Sequence, residues 1–220
     1  KAALKHIQTL NLYRIDEYMV LDSFTRRNLE LTETMREKSR KGTLLWVLDR
    51  TMTSMGGRTL RKWIEQPLIR IDDINDRLDA VAELTDKFMV RSEIREILKK
   101  VYDIERLMSR IILGNVNGRD LISLKSSLGR VPGIRTLLED CSSSLIKRKL
   151  EQLDPLEDIY ELIDKSIEEE PPVTIREGNI IKKGYNEEVD RLREASTKGK
   201  VWIAELENRE RARTGIKNLR

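Results

Sequence analysis

The feature that most constrains this chain is a seam near its end. Tyr185, Val189, Leu192, Ser196, Gly199, Ile203 and Leu206 step alternately by four and three residues, the spacing that holds one stripe of an α-helix against a second helix. Over residues 185–213 such a helix reaches about 40 Å at about 1.5 Å per residue. A rod of that length cannot bury a narrow stripe on itself. The seam therefore predicts a helix that stands out from its domain, with a partner helix elsewhere in the chain or beyond Arg220. Ser196 and Gly199 put small residues at the centre, where large apolar ones are usual. Upstream, Gly184 and then Asn186 with Glu187, Glu188 and Asp190 supply a capping side chain and acids at the positive end of the helix dipole.

The rest of the chain also reads as helical. Of its 220 residues 39% are hydrophobic, enough for a core, and 36% are charged and interspersed, which suits amphipathic helices with solvated faces. Thr53 or Ser54 starts a helix through Met55, Leu60, Trp63 and Ile64 that Pro67 ends. Asp72 opens the next, and apolar residues from Ile94 to Ile111 predict one long helix interrupted at Gly114–Gly118. Asn117 or Asp120 starts another, with Pro132 and Gly133 at its end, and further turns follow to Ile167. Two segments depart from this pattern. Tyr18–Leu21 and Leu29–Leu31 could pair as short strands, and Val173, Ile175, Ile180 and Ile181 flank Glu177-Gly178-Asn179 as a hairpin or extended loop. The expected fold is all-α, a multi-helix core bundle with a small β element and a long protruding C-terminal lever helix. Its divisions are a helical core over 1–170, a linker or hairpin over 171–184 opened by Pro171 and Pro172, and the long helix over 185–220. Lys1 in first place and a last helix that reaches Arg220 without a closing cap lead us to expect a piece of a longer protein.

A search for catalytic chemistry returns little. One cysteine, Cys141, excludes an internal disulfide, and His6 is the single histidine, so no Cys/His zinc set exists. A phosphate-binding loop needs glycines followed by Lys and Ser/Thr; Gly56-Gly57 lacks that ending and reads as close packing at a helix start. Glu168, Glu169 and Glu170 are consecutive, so a helix would scatter rather than converge them, and a solvated helix end is expected. These residues predict no enzyme, no cofactor and no metal site. A reducing, cytoplasmic setting is expected, and no apolar run approaches the roughly 20 residues that span a bilayer.

Basic residues are the better lead. The net charge of +4 is too small to mark a nucleic-acid binder, but Arg209, Arg211, Arg213, Lys217 and Arg220 stand against Glu210 alone and account for all of it. Arg209, Arg213, Lys217 and Arg220 are accordingly candidate contacts to DNA phosphates at the tip of the long helix.

Four dispersed blocks resemble the core of the MutS mismatch-repair family. They are Leu21-Asp22-Ser23-Phe24-Thr25-Arg26-Arg27-Asn28-Leu29-Glu30-Leu31; Gly42 to Asp49 with Met55-Gly56-Gly57-Arg58 and Trp63 to Leu68; Pro171-Pro172 with Glu177 to Ile181 and Gly184 to Asp190; and Arg209 to Ile216. Their order is that of the family and they cover nearly the whole chain. The resemblance implies a mismatch-binding ATPase, dimeric around double-stranded DNA, using ATP and magnesium and working with MutL. This chain would hold the first half of the core and the descending lever up to the clamp, so the returning lever would be the missing partner of the seam. The family's Phe-x-Glu mismatch wedge is absent: Phe24 is followed by Thr25-Arg26 and Phe88 by Met89-Val90. The alternative function is a freestanding helical adaptor that binds another protein through the 185–213 seam.

Overall fold

The structure, a computed structural model, describes residues 17–215. Among them lie eleven α-helices and no extended sheet: α1 Ser23–Asn28, α2 Leu44–Leu48, α3 Ser54–Glu65, α4 Ile71–Asp86, α5 Phe88–Leu98, α6 Ile104–Ile112, α7 Gly118–Leu128, α8 Val131–Glu139, α9 Ser144–Gln152, α10 Glu157–Ser166 and α11 Glu187–Thr214. The all-α expectation holds.

Local chemistry sets most of the helix starts. The side chains of Thr43, Thr53, Ser143 and Asn186 each accept a backbone N–H of the first turn that follows. At α7 both candidates act together: Asn117 accepts from the Asp120 N–H while the Asp120 carboxylate accepts from the Asn117 N–H, so two orphan donors are satisfied at once.

Two apolar centres result. Ala80, Cys141 and Ile146 gather α4, α5, α8 and α9, with Leu84, Leu138 and Leu145 against them. Leu107, Leu124, Leu128, Ile163 and Ile167 gather α6, α7 and α10. Each large aliphatic side chain so covered contributes about 1.5–3 kcal/mol relative to exposure. Polar contacts fix the segment between α5 and α6 at Tyr102 and Asp103. Ser127, 1% exposed, takes the Tyr102 N–H at 3.0 Å on its hydroxyl. The Arg58 guanidinium on α3 grips both oxygens of Asp103 at 2.7 and 2.9 Å and also reaches Glu105.

Several expected elements differ. The helix expected from Ile94 to Ile111 is broken, because α5 stops at Leu98 and Asp103 caps α6 by accepting the Arg106 N–H. Pro132 and Gly133 do not end α7. They lie in the first turn of α8, where the missing proline donor costs nothing, and α7 ends at Gly129. The strand pair expected around residues 18–31 does not form: α1 occupies its middle, and Tyr18 instead bridges Leu68. Within the described residues the long helix runs to Thr214. Gly215 closes it in the left-handed conformation, φ +71°, its N–H bonded to the Arg211 carbonyl, a geometry that strains any residue with a side chain.

Candidate functional site

The place where α11 leaves the core is held by contacts from α7, α10 and the linker. It begins at α7, whose first residue, Gly118, is buried. A Cβ there would stand 2.7 Å from Pro171 Cβ and 3.2 Å from Ile180 Cγ2, so only glycine lets the linker lie on the helix end. Arg119 Nε then donates to the Pro171 carbonyl at 3.1 Å. Pro171 and Pro172 hold the backbone extended at this point, as their sequence demands.

The linker returns through a 3-10 turn, Ile175–Glu177, closed by a Thr174/Glu177 capping box. It then runs beside the end of α10. The Glu168 N–H donates to Ile180 O at 2.9 Å and the Lys182 N–H to Ser166 O at 2.7 Å, making one antiparallel bridge between Ile167 and Ile181. Ile181 therefore pairs with Ile167, and residues 171–184 take the extended-loop alternative rather than closing a hairpin on themselves. Ile180 and Ile181 pack on the Leu124–Ile163 centre, which plants the linker in the core.

Charged groups tie the same segment from the side. Lys182 Nζ donates to Asp164 O at 2.6 Å, while the Asp164 carboxylate pairs with Lys125 at 2.9 Å. The Lys125 ammonium, by hydrogen bond and by charge, holds the Asp164 carboxyl below the ordinary carboxylate range, with Lys182 adding to it. On the helix side, Asp190 accepts the Gly184 N–H at 2.6 Å and Arg193 Nη1 donates to Ile181 O at 2.9 Å. An open cavity of about 1180 Å³ lies between these parts, lined by cations such as Arg119 and Lys183 and by Glu168, Glu169 and Glu170. The three glutamates directly follow the end of α10 and its cap Ile167, with Glu169 and Glu170 exposed. Among the described residues no group of three His, Cys, Asp or Glu side chains is placed to hold a metal ion.

Beyond this root α11 is bare. It has no buried residue. Of the seam, Val189 alone is half-buried; Leu192 and Ile203 are each 59% exposed, and nothing lies within 4 Å of where a Gly199 Cβ would be.

The candidate phosphate contacts lie at the far end. Arg209 is exposed and without an ion pair among the described residues, but Arg213 is paired with Glu210 at 2.8 Å. Arg211 is likewise paired, with Glu207 at 2.7 Å. Lys217 and Arg220 lie outside the described residues, as does His6. Cys141 is 2% exposed, and burial raises its thiol pKa, with Glu83 adding to the rise and Lys87 opposing it. Sequence reasoning missed Gly118, Arg119 and Arg193. The first reads as a helix breaker, and the arginines bond backbone carbonyls that no motif specifies.

Among the described residues a helical core thus carries, on a linker tied to α7 and α10, a long helix that buries no residue. Over residues 24–217 the sequence matches MutS domain III, and the chain belongs to that family. It is 66% identical to the DNA mismatch repair protein MutS of Acetivibrio thermocellus, 64% to that of Ruminiclostridium cellulolyticum and 48% to that of Bacillus subtilis, each over the whole of this chain. The chain spans about a quarter of the length of these relatives, 25%, 25% and 26% respectively. Among the described residues no helix is long and apolar enough to cross a membrane.

Proposed function

We propose that this chain is the structural core and lever segment of a DNA mismatch-recognition protein, coupling an ATP-driven conformational change to a clamp on DNA. One observation carries the reading: the root of α11 is tied to α7 and α10 by Pro171, Arg119, Lys182 and Arg193, while the helix beyond it buries no residue among those described. A stiff helix fixed at one end carries a small rotation of the core to its tip. In this reading residues 1–170 are the core, 171–184 the linker and 185–220 the lever, and the seam receives the returning lever of the same polypeptide.

The whole protein would act as a dimer on mismatched double-stranded DNA, with MutL as a further partner and the cytoplasm as its setting. ATP and magnesium would bind outside these residues, which contain no phosphate loop, and no step of the coupling is assigned to a nucleotide here. Arg209 is the tip cation best placed to meet a phosphate, followed by Arg213, Lys217 and Arg220.

The test uses the full-length protein with Arg119→Ala and Arg193→Ala combined. Mismatch binding and basal ATP hydrolysis should persist, while ATP-induced release from the mismatch should slow by about tenfold, the equivalent of ~1.4 kcal/mol of lost coupling. Release at the wild-type rate would remove the lever from the mechanism. The freestanding-adaptor reading predicts that outcome, because it gives the root no part in DNA release.

A further inference from the structure

A second surface lies among the first described residues, and it shares no lining residue with the cavity at the root of α11. Residues 17–53 contribute few buried side chains, namely Leu31, Thr43 and Leu45. The backbone holds them instead: Leu44 and Leu45 donate to Glu30 O and Leu31 O, and Met19 donates to Pro67 O. A groove results between α1, the loop after it and α3. Its two adjoining cavities, of about 520 and 460 Å³, share Thr32, Glu33, Lys38 and Arg61.

The groove is basic by an excess that its own acids do not cancel. Arg40 pairs with Asp49, Arg58 and Arg106 with Asp103, and Arg61 with Glu65. Arg26, Arg27 and Lys38 remain without an ion pair among the described residues, against Glu33 alone. Arg26 does feel the carboxylate of Asp22. Lys38 sits at φ +50°, a left-handed turn that favours glycine or asparagine.

The rim is apolar. Phe24, one residue from Ser23 on the groove wall, is 73% exposed, Leu29 is 60% and Met35, itself in the wall, is 46%. Helix α2, whose Leu45 lines the groove, leaves Leu44, Trp46, Val47 and Leu48 all substantially exposed. A nucleic-acid backbone asks for a polar, basic surface. Free cations rimmed by large apolar and aromatic side chains match instead the centre and edge of a protein–protein contact.

We propose that this groove is a docking surface for an acidic protein segment that also carries apolar side chains, supplied by the part of the polypeptide outside this chain. It rests on the reading of the chain as a quarter of a longer MutS protein. Carboxylates of that segment meet Arg26, Arg27 and Lys38, and its apolar residues cover Phe24, Met35 and Trp46.

Hydroxyl-radical footprinting of the full-length protein, read by mass spectrometry at Phe24, Met35 and Trp46, tests it. In wild-type protein without DNA these side chains should oxidise slowly. Oxidation should rise about threefold or more in 0.5 M salt, which screens exposed ion pairs, and equally in the variant R26E/R27E/K38E. Should that variant fold poorly by circular dichroism, the salt series on wild-type protein decides. Rapid oxidation at low salt would show a bare groove, and protection indifferent to salt an uncharged occupant. Protection that requires added duplex would identify nucleic acid. Each of these three outcomes overturns the proposal, and none bears on lever coupling, which is read from release kinetics.

Discussion

Helices α7 and α11 begin alike and end in opposite environments. Each starts on an asparagine whose side-chain oxygen accepts from the backbone of the first turn, and the first turn holds one acid in α7 and three in α11. From there α7 is enclosed, with Leu124 and Leu128 each 5% exposed, whereas α11 runs for 28 residues without burying one. Local sequence thus determines where a helix starts, and tertiary burial determines what holds it. For a helix like α7 the apolar face contributes most of the stability; an isolated helix depends on propensity and on exposed i, i+4 pairs such as Glu194–Lys198, which are weak in solvent.

The largest difference should appear in paired truncations. Leu124→Ala removes a buried side chain from the α6–α7–α10 centre and should cost about 2–5 kcal/mol, read from the urea midpoint of the chain. Ile203→Ala on the lever seam, by contrast, should change that midpoint by less than about 0.5 kcal/mol. Equal losses would mean that the seam is covered in this chain after all.

Next in size is Gly118→Ala. Its Cβ meets Pro171 at 2.7 Å, with backbone-fixed rings on one side and α7 on the other, so the linker must shift. Overpacking of this kind costs about 1–3 kcal/mol. The damage should be localised as well: amides of residues 180–182 should exchange faster than those of α4 and α9. A variant as stable as wild type, with those amides unchanged, would show that the linker is not seated on α7.

These positions mark what could be read from the chain. The caps at Thr53, Asn117 and Asn186 were legible because a capping side chain acts on donors two or three residues away. So was the seam, a pure periodicity. The break between α5 and α6 was not, because the apolar stripe continues across it. Asp103 is held there by Arg58, 45 residues earlier in the chain. The role of Gly118 was hidden similarly, since the atom it avoids belongs to Pro171. At the lever tip, a tally from Arg209 onward shows five cations against one acid, but Arg211 is paired with Glu207, just outside that window.

A smaller effect separates the regions by pH. Glu83 of α4 accepts the N–H groups of Ser142 and Ser143 ahead of α9, and these bonds, with Lys87 assisting, lower its pKa from 4.5 to about 2. Because the folded value is the depressed one, the stabilisation is present in full above about pH 4.5 and is lost as pH falls toward about 2. Wild type should therefore exceed Glu83→Gln in urea midpoint at neutral pH, and the gap should narrow between pH 4.5 and 2. A gap independent of pH would assign the bonds no dependence on charge. The lever should contribute less to this dependence, its Glu194 being depressed by exposed lysines, Lys198 first.

The smallest expected change is the one that bears most directly on the proposal that a returning lever packs on α11. Glycine inside a helix is less favourable than alanine by about 0.8–1 kcal/mol, and at residue 199 no atom lies within 4 Å of the added Cβ. Gly199→Ala should therefore slow amide exchange in the middle of α11 in this chain by about fourfold, the equivalent of ~0.8 kcal/mol of local stability. In the full-length protein the same methyl enters the seam where Ser196 and Gly199 leave room for a second backbone. If the returning lever packs there, the sign reverses: the alanine pushes the helices apart, and exchange in α11 rises above that of wild type. Stabilisation in both settings would mean that the partner does not approach closely at Gly199, and the small centre of the seam would then require another cause. A reversal would locate the point of closest approach along a helix whose seam this chain leaves open.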